Sequence, residues 1–368
     1  MTTQVSRQVP FNVLSPGVRA IRAELDAAIA RVLDRGYFLM GPELQQFEQQ
    51  FAAYHGQGLN AVGVASGTDA LRIGLLALGI EPGDEVLIVA NAGVPPVAAL
   101  VATGARPVFC DVDPDTHALD PQEIDRKVTP RTRAVVVVHL YGHPAPMAPI
   151  MARARTNGLK VLEDCAQAHG ARSAGQLVGT FGDAAAFSFY PTKNLGALGD
   201  AGALLTADPH VADQARLLRM YGWRQRYVSE VHSTVSRLDE LQAALLAAKL
   251  PHLDDWNAAR RRLADRYRAQ LQSVVGLPPD EGVFHLFVVR TPERDPLKAY
   301  LADHGIGSDV HYPRPVHLQA PYAEYGDGPG SLPATEQLAG EILSLPIYPE
   351  LAPDDVDYVC QTLRNYGA

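Results

Sequence analysis

From about residue 60 to residue 206, short uninterrupted apolar runs alternate with stretches of helical periodicity. The runs span 61–64, 86–90, 106–109, 134–140, 160–162, 184–189 and 202–206. Runs without a polar residue at every second position predict strands buried on both faces. Between them, Leu71, Leu75 and Leu78 fall on one helical face and Gly79 supplies a stop. Strands alternating with helices predict an α/β fold, a mostly parallel central sheet with helices on both faces.

The pattern changes after residue 238. Residues 238–250 read as a buried Ala/Leu-rich helix ended by Pro251. Leu253, Trp256, Leu263 and Tyr267 continue on a second helix, whose other face carries Arg260, Arg261, Arg262 and Arg266 and is expected to be solvated. A strand is expected over 283–290, a helix over 297–304 stopped by Gly305, and two closing helices over 334–343 and 354–366. The stretch 312–333, rich in proline, reads as an ordered loop. The division expected is a large domain over 1–250, including an N-terminal helical segment, and a smaller C-terminal α+β domain over 251–368.

Composition narrows the function. The chain has 368 residues, 47% hydrophobic and 20% charged, which is globular and about two domains long. Lys and Arg number 32 against 41 Asp and Glu, so the net charge of -9 gives no electrostatic footprint for nucleic acid. Cys110, Cys165 and Cys360 are too scattered for a disulfide framework or a zinc ribbon, and a reduced, cytoplasmic setting is expected. Residues 86–105 carry no charge over the length of a membrane span, but Asn91, Gly93, Pro95, Pro96 and Gly104 interrupt them. That stretch reads as a strand, a turn and a short helix. No basic segment followed by an apolar core is seen at the N-terminus, so neither a signal peptide nor a membrane span is expected.

Three motifs could carry chemistry. In the run 65–71, Ala-Ser-Gly-Thr-Asp-Ala-Leu, a strand gives way to a helix, whose free N–H groups bind anions while Gly67 lets a phosphate approach the backbone. By itself this is equally a capped helix. In the run 159–170 an apolar strand delivers Glu163 and Asp164 at its C-terminal end, the edge at which open α/β sheets bind ligands. Cys165 and His169 there could form a thiol–imidazole pair, but nothing else supports a cysteine nucleophile. In the run 187–202 a single lysine, Lys193, stands among apolar, aromatic and glycine residues, where desolvation lowers an ammonium's pKa and suits Schiff-base chemistry. A phosphate cup, a buried acid and a desolvated lysine are together the fixtures that pyridoxal phosphate needs. Walker A, Gly-x-Gly-x-x-Gly and Gly-x-Ser-x-Gly sequences are missing, and Gly142 and Pro144 break the helix on which His139 and His143 could share a zinc ion.

With these residues in view, the sequence resembles the nucleotide-sugar aminotransferases of the DegT–StrS group, fold type I (aspartate aminotransferase-like) pyridoxal phosphate enzymes. The resemblance runs through SGTDAL at 66–71, LGIEPGDEV at 78–86, PVFCDVD at 107–113, VHLYGHPAPM at 138–147, EDCAQAHGA at 163–171, FSFYPTKNLGALGD at 187–200, SRLDELQAALL at 236–246, HYPRPVHLQ at 311–319 and LSLPIYPEL at 343–351. It implies that Lys193 forms the aldimine and shuttles the substrate proton. It implies that Asp164 pairs with the pyridine nitrogen, that Gln167 lies near the ring, and that Gly67, Thr68 and Ser188 hold the phosphate. Tyr190, Tyr312 and His317 would lie near the sugar nucleotide. It also implies a homodimer with the active site at the subunit interface.

Tyr190 and the EDCAQAHGA form resemble the branch that aminates C3 of a dTDP-3-keto-6-deoxyhexose, with L-glutamate as donor in ping-pong half-reactions. The alternatives are C4 amination of a nucleotide-linked 4-keto sugar, a branch that more often has His at the Tyr190 position, and a regulator or sensor that has lost catalysis. The group's dehydratases replace the lysine by histidine, so Lys193 speaks against that activity. Two departures stand out. Val235 occupies a position where the group often has an asparagine reaching the neighbouring subunit's phosphate. Residues 91–96 lack the aromatic that commonly stacks on the cofactor ring.

Overall fold

A computed structural model describes residues 7–366. Its centre is a seven-stranded sheet built from β1 (Asn60–Val64), β2 (Glu85–Val89), β3 (Arg106–Cys110), β4 (Thr132–Val138), β5 (Lys160–Asp164), β6 (Ala184–Ser188) and β7 (Gly202–Thr206). The spatial order is β1-β7-β6-β5-β4-β2-β3. Strand β7 runs antiparallel to both of its neighbours, and the other pairings are parallel. The expected mostly parallel α/β sheet is therefore present, with each apolar run on a strand.

The unbroken apolar runs follow from burial on both faces. Along β6, Ala184 and Ala186 join the core shared with the helix Gly67–Ala77, while Ala185 and Phe187 join the core shared with the helices Pro42–His55 and Glu240–Lys249. Gly74 lets the helix Gly67–Ala77 lie close to the sheet, because a Cβ there would stand 2.8 Å from Leu204 Cδ1 and 3.1 Å from Leu162 Cδ1. Residues 86–105 form β2, a turn and the helix Val94–Val101, as their prolines and glycines require. Among the described residues no helix is long and apolar enough to cross a membrane.

In the second half, the helix Leu253–Leu271 leads to an antiparallel pair, β8 (Phe287–Arg290) and β9 (Ile342–Leu345). These strands pack with the helices Arg294–Asp303 and Pro353–Tyr366 around Tyr267, Phe287, Leu301 and Val359. Val9 bridges to Ile306 and joins the same core.

Three expectations need correction. Residues 283–286 lie outside β8, because Val283 N–H donates to Gly142 O (2.9 Å) and Leu286 N–H to Tyr141 O (3.2 Å), which binds them to a turn after β4. The helix expected over 334–343 ends at Glu341, where Ile342 turns extended to pair with Arg290. Arg260 is buried rather than solvated. Its guanidinium turns inward and donates to the carbonyls of Phe284 (3.2 Å), His285 (3.4 Å) and Ile347 (2.9 Å), whereas Arg261, Arg262 and Arg266 are exposed.

Glu240 joins the N-terminal helices to the body of the fold. Its fully buried carboxylate accepts from the N–H groups of Gly41 (2.8 Å), Glu43 (3.0 Å) and Leu44 (3.0 Å), and so caps the helix Pro42–His55 from a distant element. Glu240→Ala leaves three buried donors unpaired and is expected to cost about 3 kcal/mol of stability. Urea denaturation followed by circular dichroism measures this, and an unchanged midpoint would remove the cap from the account.

Candidate active site

The parallel strands deliver their C-terminal ends to one edge of the sheet, where a ligand crevice is expected. A cavity of about 240 Å³ lies there. Gly67 and Thr68 reach it after β1, His139 after β4, Asp164 at the end of β5, Ser188 at the end of β6, and Lys193 from the loop that follows β6. Gln167, Tyr190 and Tyr312 complete the set of expected residues around it.

The first motif makes a tight cup. Ser66 caps the helix Gly67–Ala77, its Oγ accepting from Asp69 N–H at 3.1 Å. Gly67 presses against Ser188, and a Cβ on it would stand 2.5 Å from Ser188 Cβ and 3.0 Å from Ser188 Cα. Ser236 Oγ donates to Asp69 Oδ2 (2.9 Å) and accepts from Ala65 N–H (3.1 Å), fastening the cup from a distant segment. The adjacent Val235 is 39% exposed.

Opposite the cup, Asp164 is buried, and one of its carboxylate oxygens accepts from Ala166 N–H at 3.0 Å. Burial raises its pKa, opposed by that N–H and by the charge of Lys193. Lys193 makes no ion pair among the described residues. Burial pulls its pKa down to about 8, with the Asp164 charge pulling the other way.

Glu163, next to Asp164, has a different role. Its carboxylate is fully buried and accepts from Gly179 N–H (2.7 Å), Phe181 N–H (2.8 Å), Gly182 N–H (2.8 Å) and His139 Nε2–H (3.0 Å). Burial alone would raise its pKa, but these donors hold it below the usual carboxylate range. Ala145 N–H donates to His139 Nδ1 (3.0 Å), so the proton of the neutral ring sits on Nε2. Composition and spacing gave no sign of His139 as a wall of the cavity, because only its β4–β5 neighbourhood puts it there.

Tyr312 arrives from the C-terminal half. Gln167 Nε2 lies 3.4 Å from its hydroxyl, and Gln167 Oε1 accepts from Tyr141 N–H at 2.6 Å. Burial raises the Tyr312 pKa, with the Asp164 charge adding to it. Its ring packs on Gly93, where a Cβ would stand 2.9 Å from Cε2. The segment 91–96 thus has an aromatic neighbour after all, supplied from far along the chain. Around Lys193 lie three further imidazoles, His169, His285 and His311. Burial, and then the Lys193 charge, lower the pKa values of His169, to about 3, and of His285; burial also lowers that of His311, with the Asp309 charge opposing it and the Lys193 charge adding to it. Cys165 is inert, since burial raises its thiol pKa well above the usual value.

The structure does not bring His317 to this cavity. The turn at Val316–Leu318 is pinned by Val316 N–H to Ala90 O (2.9 Å). It directs the imidazole toward Phe109 and Glu336, the latter 3.2 Å from Nε2, beside a separate cavity that includes Arg106 and Tyr325.

Sequence comparison decides the family. The profile of the DegT/DnrJ/EryC1/StrS aminotransferase family matches residues 19–364. The chain belongs to this family. It is 48% identical over 362 residues to the erythromycin biosynthesis sensory transduction protein EryC1 of Saccharopolyspora erythraea, covering 97% of this chain and 99% of that one. It is also 48% identical over 366 residues to a dTDP-3-amino-3,4,6-trideoxy-alpha-D-glucose transaminase of Streptomyces venezuelae, covering 98% and 96%. Among solved structures, NtdA of Bacillus subtilis, with its cofactor PMP bound, superposes with a TM-score of 0.91 at 31% identity and covers 99% of this chain and 86% of that one. The protein is a fold type I aminotransferase whose cofactor is pyridoxal phosphate. The residues present fit that group. The cup at Gly67 has no room for a side chain, Asp164 is a buried acid, and Lys193 is a half-buried, desolvated lysine with no carboxylate at ion-pair distance among the described residues.

Two outcomes are expected. Only the neutral amine attacks an aldehyde, so in the apoprotein the rate at which Lys193 captures pyridoxal phosphate should rise with pH through a midpoint near 8. Stopped-flow absorbance measures this, and a midpoint near the ordinary lysine value of 10.5 would contradict the desolvation. Gly67→Ala should weaken cofactor binding about tenfold or more without unfolding the protein, because Ser188 Cα cannot retreat from the new Cβ. Equilibrium dialysis against the cofactor tests it.

Proposed function

We propose that the protein transfers an amino group from L-glutamate to C3 of a dTDP-linked 3-keto-6-deoxyhexose, in two half-reactions, as a homodimer. The observation that carries this reading is the conjunction of Lys193 and Asp164 across one cavity in a chain 48% identical to a transaminase of a dTDP-3-amino sugar.

Bound in the cavity, pyridoxal phosphate supplies an electron sink for the pair released when the Cα–H bond of the amine breaks. The work of the chain's own residues follows from their positions. Asp164 keeps a proton on the ring nitrogen, a charge interaction strengthened by its burial. Gly67 and Thr68 offer helix N-terminal N–H groups to the phosphate, and Ser188 adds a hydroxyl. Lys193, with its pKa drawn toward neutrality, would take the proton from the amine carbon and return it to the cofactor carbon on the far side of the transferred nitrogen. Tyr190, half exposed at the rim, and Tyr312, set against Gln167, face the space left for the sugar. The exposed apolar residues Leu33, Tyr37, Phe38, Tyr227 and Val228 are apolar surface of the kind that a second copy would cover.

Tyr190 in the Lys193 segment favours C3 over C4 amination. The EryC1 relative bears a regulatory name, yet intact Lys193 and Asp164 favour catalysis over a purely sensory role. Absorbance spectra of the wild type and of Lys193→Ala decide the matter. L-Glutamate should convert the wild-type spectrum to the amine form of the cofactor, and a dTDP-3-keto-6-deoxyhexose should convert it back. Lys193→Ala should slow both conversions by about 100-fold or more. Cofactor binding without any response to glutamate would reject the donor, and reversal by 4-keto sugars alone would reject C3.

A further inference from the structure

A second cavity, of about 140 Å³, lies against the loop that carries Lys193 and is lined in part by Lys193 itself and by Lys249, Trp256, Arg260, Tyr348 and Glu350. Two of these residues are buried cations. Lys249 is 8% exposed, and its Nζ donates to Gly196 O at 2.6 Å, within the Lys193 loop. Arg260 is 4% exposed, spends Nη1 on three carbonyls, and leaves a buried Nε without a hydrogen-bond partner. Among the described residues neither cation has a carboxylate within ion-pair distance. Burying a charge without a counter-charge is costly, and carbonyl dipoles offset only part of that cost. The depressed pKa values agree: burial lowers Lys249 to about 8 and Arg260 to about 10, with only the charge of Glu350 opposing it at Arg260. Glu350 is exposed and sits on the same cavity, so besides Lys193 its lining carries two buried positive groups and one accessible negative group.

We infer that this second cavity is a binding site for a small carboxylate, its anionic end held by Lys249 and Arg260. Trp256 and Tyr348 offer apolar surface to the carbon chain. Glu350 suits an ammonium group at the other end, so a zwitterionic amino acid fits better than an oxo acid. Lys193 lines both cavities and Lys249 also holds Gly196 O, so a ligand here contacts the element that positions Lys193, while Lys249 and Arg260 themselves stand outside the cofactor cavity. The inference stands on this geometry and is independent of which sugar the enzyme aminates.

Calorimetry on the holoenzyme tests it. Borohydride first fixes the cofactor on Lys193, so that an amino acid cannot react. L-Glutamate and 2-oxoglutarate are then titrated separately. Binding of at least one is expected, weakened tenfold or more by Lys249→Gln, which equals 1.4 kcal/mol, and retained by Lys249→Arg. Arg260→Lys, which keeps the buried charge, should weaken it less than Lys249→Gln. Thermal melts establish that each variant is folded. A preference for L-glutamate that Glu350→Gln abolishes identifies an amino acid as the ligand. Equal binding of both acids, unaffected by Glu350→Gln, identifies a general carboxylate site. Absence of binding by either acid, or binding that Lys249→Gln leaves unchanged, overturns the proposal. So does a Lys249→Gln variant whose only change is its sedimentation mass, since the cavity would then belong to a subunit contact. If borohydride fixes no cofactor, the reading of Lys193 fails separately, and 2-oxoglutarate, which has no amine to donate, still tests the second cavity on the unreduced protein.

Discussion

The geometry of the active site hangs on one buried ion, the carboxylate of Glu163. An unpaired charge inside the sheet would be expensive, yet this one receives three backbone N–H groups from the turn 179–182 and a fourth proton from His139. Those bonds fix the end of β5 against β4 and against the turn that leads into β6. Side chains on successive strand residues point to opposite sides, so holding Glu163 on one side orients Asp164 toward the other, into the cavity. The anchored acid carries no chemistry itself. It sets the direction of Asp164, and it orients the imidazole that walls the same space.

The strand order makes the rest local. Parallel strands end at one edge, so residues from β1, β4, β5 and β6 meet there although more than a hundred positions separate the first from the last. The elements expected to hold the cofactor therefore come from the core sheet, while those expected to meet the substrate come from loops and from the C-terminal half. Tyr312 belongs to the second kind and is tied to the first through Gln167 and Gly93.

Much of this was legible in the chain. Each apolar run became a strand because burial on both faces is written directly into composition, and Lys193 and Asp164 could be found because a desolvated lysine and a strand-end acid leave local signatures. What escaped was decided by tertiary packing. His317 sits in a motif close to Tyr312, but one backbone bond to Ala90 turns it away. Arg260 belongs to a run of arginines that reads as solvated, and only the carbonyls of Phe284, His285 and Ile347 explain why it alone turns inward. The role of Tyr312 against Gly93 leaves no trace in sequence spacing at all.

The stitching between the two halves has a further consequence. Val283 and Leu286 bond to the turn at Tyr141 and Gly142, the Tyr141 hydroxyl donates to His311 O, and Val316 bonds to Ala90. All of these joints lie beside the cofactor cavity rather than at the periphery. Pulling the halves apart therefore opens the pocket, and a ligand held in the pocket opposes their separation. Native-state hydrogen exchange at these amides is accordingly a gauge of cofactor occupancy, with the seam between the halves acting as a latch whose lifetime lengthens when the cofactor is in place.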